Sequence, residues 1–203
     1  VEYYYDGKID TSKTDSFSAT FGDVISTYTD KKIDGYKLDT TQNLPLTITS
    51  NPDNNVIRIY YVKDTFAYIV EYYYDGVLDP TRTDRFSATF GDVIEDYTSK
   101  VKDGYKLDDE QNLPLTITSN PDNNVIRIYY VKDSFGYTVE YYYDGKIDTS
   151  KTDSFSATFG DVIRTYADKN IDGYKLDDEQ NLPLTITSNP DSNVIRIYYV
   201  KDT

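Results

Sequence analysis

The heptapeptide VEYYYDG occurs three times, at residues 1–7, 70–76 and 139–145, always one constant interval apart. Later features keep the same interval: Tyr36, Tyr105 and Tyr174 do, and so do Asp53, Asp122 and Asp191. An interval longer than the usual solenoid repeat makes each unit a small domain, not one turn of a coil. The spacing divides the chain into 1–64, 65–133 and 134–203. Domains this small bury limited apolar surface. The 23 tyrosines and 8 phenylalanines offset that, because each ring buries a large area. Every tyrosine falls on a repeat-equivalent position.

The second unit is complete and serves for the whole. FAYIVEYYYDG alternates, with Phe66, Tyr68, Val70, Tyr72 and Tyr74 to one side and Ala67, Ile69, Glu71 and Tyr73 to the other. Period two with aromatic and β-branched residues predicts a strand. Asp75-Gly76 reads as a hairpin turn. DRFSATF alternates again and places Phe86, Ala88 and Phe90 inward. DVIEDYTSKVKDGY predicts a short helix with Val93, Ile94 and Tyr97 on one face, Asp92 as N-cap and Gly104 as stop. GYKLD follows as a short extended piece. LPLTITS reads as a strand with Leu113, Leu115 and Ile117 inward, Pro114 marking an edge or a strand start. NPDNN is a turn. VIRIYYVKD closes the unit with Ile126, Ile128 and Tyr130 inward.

The expected order is therefore β-β-α-β-β-β, an α+β domain. Its first and last strands are the most apolar. They are expected side by side and parallel, with the helix across one sheet face. That is the β-grasp (ubiquitin-like) arrangement. Parallel terminal strands put entry and exit at opposite ends, and the links between units are very short. The expectation is an elongated rod of three domains, with Phe66 or Tyr68, and Phe135 or Tyr137, touching the preceding unit.

YTVEYYYDGKID at residues 137–148, a later FGDVI leading to DGYKLD, and the closing VIRIYYVKD resemble the mucin-binding-protein repeats of Gram-positive surface adhesins. The resemblance covers all three units, although the first lacks its leading residues. It departs in the triple tyrosine and the NPDNN turn. It implies an extracellular, cell-wall-attached protein with tandem modules that act as a stalk or in adhesion. The partner it implies is a host glycoprotein or mucin, or none for this stretch. Val1 opens mid-strand, so the chain reads as a piece of something larger.

Composition narrows the function classes. The formal net charge is -14. Nucleic acid and anionic membrane surfaces call for clustered Lys and Arg, so neither is an expected partner. No apolar run approaches bilayer length. Without His or Cys, and without a Gly-rich phosphate loop, no catalytic constellation is visible, and the chain reads as a non-enzyme and a monomer. No cofactor is expected. Asp6, Asp10 and Asp15 offer oxygens that suit calcium, but their spacing is not that of an EF-hand, and Asp and Asn also make turns.

The tyrosines carry the remaining signal. If the terminal strands are neighbours, Tyr4, Arg58 and Tyr60 share one outer face. Tyr73, Arg127 and Tyr129 repeat it, as do Tyr142, Arg196 and Tyr198. Flat rings with a polar tip suit sugars or a protein partner. The same arrangement serves a sheet as cross-strand aromatic pairing without any ligand.

Overall fold

The computed structural model describes residues 1–40, 42–108, 111–178 and 180–202. The first copy holds β1 (Glu2–Tyr5), β2 (Lys8–Ile9), β3 (Val24–Ile25), β4 (Tyr36–Leu38), β5 (Leu46–Thr47) and β6 (Arg58–Lys63). The second holds β7 (Thr65–Tyr74), β8 (Val77–Leu78), β9 (Asp84–Thr89), β10 (Val93–Ile94), β11 (Tyr105–Leu107), β12 (Leu115–Thr116) and β13 (Val125–Lys132). The third holds β14 (Ser134–Tyr143), β15 (Lys146–Ile147), β16 (Asp153–Thr158), β17 (Val162–Ile163), β18 (Tyr174–Leu176), β19 (Leu184–Thr185) and β20 (Val194–Lys201).

Each copy has one main sheet and a two-stranded ribbon. The main sheets run β2-β1-β6-β4, β8-β7-β13-β11 and β15-β14-β20-β18. First and last strands are neighbours, and they are parallel where β1 meets β6 and β14 meets β20. The ribbons are β3-β5, β10-β12 and β17-β19.

The chain forms two compact units. One comprises Val1–Glu71, Thr83–Tyr97 and Asn112–Arg127, and the other Tyr72–Arg82, Thr98–Gln111 and Ile128–Thr203. The division falls inside the second copy, so β7 and β13 each contribute residues to both. The first unit's core includes Tyr3, Tyr5, Ile57, Ile59 and Tyr61. The second unit's core includes Val139, Tyr141, Tyr143, Ile186, Ile195, Ile197 and Tyr199.

The α+β β-grasp expectation fails on its helix. Among the described residues there is no α-helix, only strands and short 3₁₀ turns. Residues 92–105 were the expected helix. Val93 and Ile94 instead pair with Thr116 and Leu115, and an irregular extended stretch follows. The cause is visible in the buried tyrosines. Tyr72 donates its hydroxyl to the Thr98 carbonyl at 2.6 Å, and Tyr74 donates to that of Lys100. The Lys100 amide donates to the Tyr130 hydroxyl at 2.9 Å. Three phenols thus satisfy backbone groups that a helix would have paired internally. Local composition agrees: Val, Ile, Asp, Tyr, Thr and Ser all sit in the weaker half of the helix scale.

The same rack recurs. Tyr3 and Tyr5 donate to the carbonyls of Thr29 and Lys31 at 2.8 and 2.5 Å, and the Lys31 amide donates to Tyr61 at 3.0 Å. Tyr141 and Tyr143 reach those of Ala167 and Lys169 at 2.7 and 2.5 Å, with the Lys169 amide on Tyr199 at 3.0 Å. Tyr61 and Tyr199 donate in turn to Asp30 and Asp168, both at 2.5 Å. Burial, then the neighbouring carboxylate, raises the Tyr61 and Tyr199 phenols well above their ordinary value.

Two further devices fix each sheet. Asp6 and Gly7 sit at φ 49° and 77°, with Asp75-Gly76 and Asp144-Gly145 alike. Two consecutive left-handed residues define the tight hairpin turn that an Asp-Gly pair favours. The stretch of β6 that the short β4 does not reach is closed by side chains. Gln42 accepts from the Tyr60 amide, Asn43 accepts from that of Arg58, and Asn43 donates to the Val56 carbonyl. Gln180 and Asn181 do the same along β20. A sheet edge covered in this way is a poor template for pairing with another chain.

Phe86, expected inward, is 48% exposed and lies over the Tyr68 ring at 5.3 Å.

Candidate functional site

Three features recur or stand open: an outer ledge of tyrosines, a junction between copies, and a groove in the first copy.

The ledge follows from parallel pairing of the terminal strands. Glu2 lies opposite Arg58 and Tyr4 opposite Tyr60. Successive residues of a strand face opposite ways, so Glu2, Tyr4, Arg58 and Tyr60 share the outer face while Tyr3, Tyr5, Ile59 and Tyr61 fill the core. The Tyr4 and Tyr60 rings are 5.0 Å apart and tilted by 32°. Tyr4 donates to Glu2 at 2.8 Å, and Arg58 Nε lies 3.4 Å from the same carboxylate. In the third copy the rings of Tyr142 and Tyr198 are 5.0 Å apart, Tyr142 donates to Glu140 at 2.9 Å, and Arg196 is 3.3 Å from it. In the second, Tyr73 and Tyr129 are 5.0 Å apart and Arg127 is 3.5 Å from Glu71.

The structure thus brings the predicted ledge residues of the first and third copies into matching clusters with a glutamate in each, and in the second it pairs Tyr73 with Tyr129 and, separately, Arg127 with Glu71. Glu71 was legible as an outward residue of its strand, but composition gives no hint that it engages the arginine. The glutamates change the electrostatics. Glu2 raises the Tyr4 phenol pKa through its hydrogen bond. Arg58 is raised by Tyr4 first and then by Glu2. The Tyr4 and Tyr142 hydroxyls and the arginines are thus engaged with the glutamates.

The junction is built the same way twice. Only Asp64 separates β6 from β7, and both its backbone groups are used. Its amide donates to the Gly35 carbonyl at 2.8 Å, and its carbonyl accepts from the Phe90 amide at 2.8 Å. Lys37 pairs with its carboxylate at 2.9 Å. The Phe90 ring lies flat on Gly35, where any Cβ would overlap it, and 6.3 Å from the Tyr36 ring. Ser119 donates to Asp34 at 2.7 Å across the same joint. Between the next copies Asp133 joins the Gly104 carbonyl to the Phe159 amide, Lys106 pairs with Asp133 at 3.0 Å, and Phe159 covers Gly104.

Of the four residues expected at the joints, Phe66 and Phe135 lie beside these rings. Phe66 meets Phe90 at 6.2 Å, and Phe135 meets Phe159 at 6.2 Å. Tyr68 and Tyr137 stack on Phe86 and Phe155 of their own copies. Phe90 and Phe159 are the rings that reach the preceding copy. The Phe-Gly of each FGD motif was in plain sight, but nothing local says that its ring will cover a distant glycine.

The groove lies in the first copy. It holds about 790 Å³ and is lined by Val1, Phe17, Ile25, Tyr28, Ile48 and Ile57 among others. In the second copy β7 runs along β9 from Thr65 to Val70. The Asn124 carbonyl accepts from the Ile69 amide at 3.0 Å, and the Asn124 side chain donates to the Ala67 carbonyl at 3.3 Å. The third copy matches, through β14 on β16 and Asn193. Asn124 and Asn193 are fully buried there. In the first copy residues 14–20 form no strand, and Phe17 and Phe21 are 77% and 75% exposed.

The oxygen-rich loops are internally committed. Asp10 caps a 3₁₀ turn by accepting from Ser12, Asp15 receives Lys31 Nζ at 2.6 Å, and Asp6 accepts from Tyr36 and the Lys63 amide. Among the described residues no group of three or more His, Cys, Asp or Glu is placed to hold a metal ion.

The chain is 30% identical over 213 residues to Internalin J of Listeria monocytogenes. The match takes in 95% of this chain and 22% of that protein. The chain spans about a fifth of the relative's length. No family model matches the chain. What the comparison supports is a bacterial surface repeat protein.

Proposed function

We propose that the chain is a tandem spacer module of a bacterial cell-surface, adhesin-type protein, anchored to a Gram-positive wall. The reading rests chiefly on the junction. A one-residue link has both backbone groups hydrogen-bonded, its carboxylate ion-paired and a phenylalanine closed over a glycine, and this repeats at the second joint. A joint so constrained transmits orientation and force from copy to copy, as a spacer needs and as a flexible tether cannot. The likeness to a segment of Internalin J supports the surface setting.

A second reading is weak multivalent capture of mucin-type glycans or a host protein by the three ledges, multiplied by avidity. The threefold repetition of the same ring pair favours it. The arginines, each paired with a glutamate, count against it. A glycan array probed with the three-copy protein tests both. The spacer reading expects a silent array. Binding that disappears in the Tyr73→Ser/Tyr129→Ser variant overturns it in favour of capture.

A further inference from the structure

The second copy departs from its neighbours at one turn. The first and third copies read Asp-Thr-Ser-Lys there, at residues 10–13 and 148–151, and the second reads Asp-Pro-Thr-Arg at 79–82. Another departure lies further along the chain: Lys102 stands where the other copies have Ile33 and Ile171. The fold brings the two together. Lys102 Nζ lies 2.8 Å from a carboxylate oxygen of Asp79, and Arg82 Nε lies 3.4 Å from the same oxygen. Thr81 holds the other oxygen, donating its hydroxyl at 2.6 Å and its amide at 3.2 Å. The Asp79 carbonyl is bound as well, accepting from the Arg82 amide at 3.1 Å.

These are the parts of an acyl-transfer site. The Asp79 carboxylate is a nucleophile that can close a five-membered ring on its own carbonyl carbon. The Arg82 amide polarises that carbonyl and is placed for the negative charge that develops on its oxygen. The leaving group is the Pro80 nitrogen. Pro80 carries no N–H, so an aspartate's usual ring closure, by attack of the next amide nitrogen, is closed to Asp79. Among the described residues, the charged and titratable groups facing Asp79 are Lys102, Arg82 and the Tyr74 phenol. Both cations lie over the Tyr74 ring, at 3.7 and 5.8 Å. Lys102 first, and then Thr81, hold the carboxyl at about 2, so it stays ionised in acid that protonates an ordinary aspartate.

We propose that Asp79-Pro80 is an acid-triggered self-cleavage site, in which an Asp79 carboxylate oxygen attacks the Asp79 carbonyl carbon and expels the Pro80 nitrogen. The new C–O bond closes a cyclic anhydride as the C–N bond breaks. The nitrogen leaves as a secondary amine and takes its proton from solvent hydronium. Water then opens the anhydride and leaves two carboxyl groups on Asp79, so one water is consumed overall. Lys102 is a positioning residue, which keeps the carboxylate charged and in place. The cut falls between β8 and β9, and β7 pairs with both. The two pieces therefore stay joined through the sheet, by hydrogen bonds where the chain was continuous. The inference does not rest on the spacer reading.

The test uses the whole 203-residue protein, with near-UV circular dichroism following the native state, and a capped peptide of residues 77–84, VLDPTRTD. Both are incubated across a series of acidic pH values and analysed by mass spectrometry under denaturing conditions. The protein should yield fragments 1–79 and 80–203, whose masses sum to the parent plus one water. At pH ~3 it should be cut about eightfold faster than the peptide, the ratio of ionised carboxyl for a pKa of about 2 against ~3.9. Pro80→Thr, which restores the residue of the other copies, should stay intact. Lys102→Ile restores the other copies' residue too, and should move the levelling-off of the rate to higher pH. No cut should appear after Asp10 or Asp148. An intact chain, a peptide cut as fast as the protein, or an unchanged pH profile in Lys102→Ile overturns the proposal.

Discussion

Tyr199→Phe removes one oxygen from the third copy and tests the tyrosine rack directly. Tyr199 is 1% exposed. Its hydroxyl accepts from the Lys169 amide at 3.0 Å and donates to Asp168 at 2.5 Å. The ring stays and packing is kept, so the loss is the hydrogen bonding alone. Asp168 faces solvent and can be rehydrated. The Lys169 amide is left without a partner in a part-buried place, which costs about 1–3 kcal/mol. Taking about 2 kcal/mol, opening of this segment should become about 30-fold more frequent. Amide hydrogen exchange reads it locally: Lys169 should exchange about 30-fold faster, and residues 166–170 should follow, while the first copy's amides are unchanged. Tyr142→Phe is the control. Its hydroxyl lies on the open outer face beside the Glu140 and Arg196 side chains, so its removal should shift exchange less than about twofold, as for surface substitutions. Equal effects for the two variants, or none for Tyr199→Phe, would refute the idea that phenols order this segment.

Other outcomes follow from the same geometry. Lys102 and then Thr81 hold the Asp79 carboxyl down at about 2, below its unfolded value near ~3.9. That contribution is complete above pH ~4 and is lost as pH falls towards 2, so thermal midpoints should drop in that window, and less steeply in Lys102→Ala. Burial, with Asp15 and Asp153 beside them, raises Tyr3 and Tyr141 to about 12, against ~10 when unfolded. Their contribution is present below pH ~10 and lost as pH climbs through 12, so tyrosinate absorbance should appear in two phases, the second coinciding with unfolding. Gly104→Ala meets the Phe159 ring and a φ of +77°, whereas Gly173→Ala meets only a φ of +79°. The first should cost about 1–3 kcal/mol beyond the second, read from paired melts, and should expose the Asp133 joint to protease.

The strands were largely legible, and the reason is period. Val70, Tyr72 and Tyr74 alternate with Glu71 and Tyr73, and the structure buries the first set and leaves the second half-exposed. The Asp-Gly hairpins were equally plain, since few sequences accept two left-handed residues in succession. The helix was misread because Val93, Ile94 and Tyr97 suit either period over so short a run. What decides the matter is remote: Tyr72, Tyr74 and Tyr130 bring hydroxyls to residues 98–100 from strands far along the chain. Helix propensity, summed over DVIEDYTS, argues against a helix there, despite an apparent cap at Asp92 and stop at Gly104. Of the candidate site, the ledge was legible once the terminal strands were set side by side. Its glutamates and the phenylalanine-on-glycine joint were not, because both depend on tertiary neighbours that no local pattern encodes.

The claim on which the rest depends is that residues 161–172 and their counterparts are extended chain hung on tyrosine hydroxyls, beside parallel first and last strands. Backbone NMR of the whole protein tests it most directly. The account predicts non-helical shifts from Asp161 to Asp172, cross-strand contacts pairing Tyr142 with Tyr198 in parallel register, and slowly exchanging Tyr141 and Tyr199 hydroxyl protons. A run of helical shifts there, or antiparallel contacts between those strands, would contradict it.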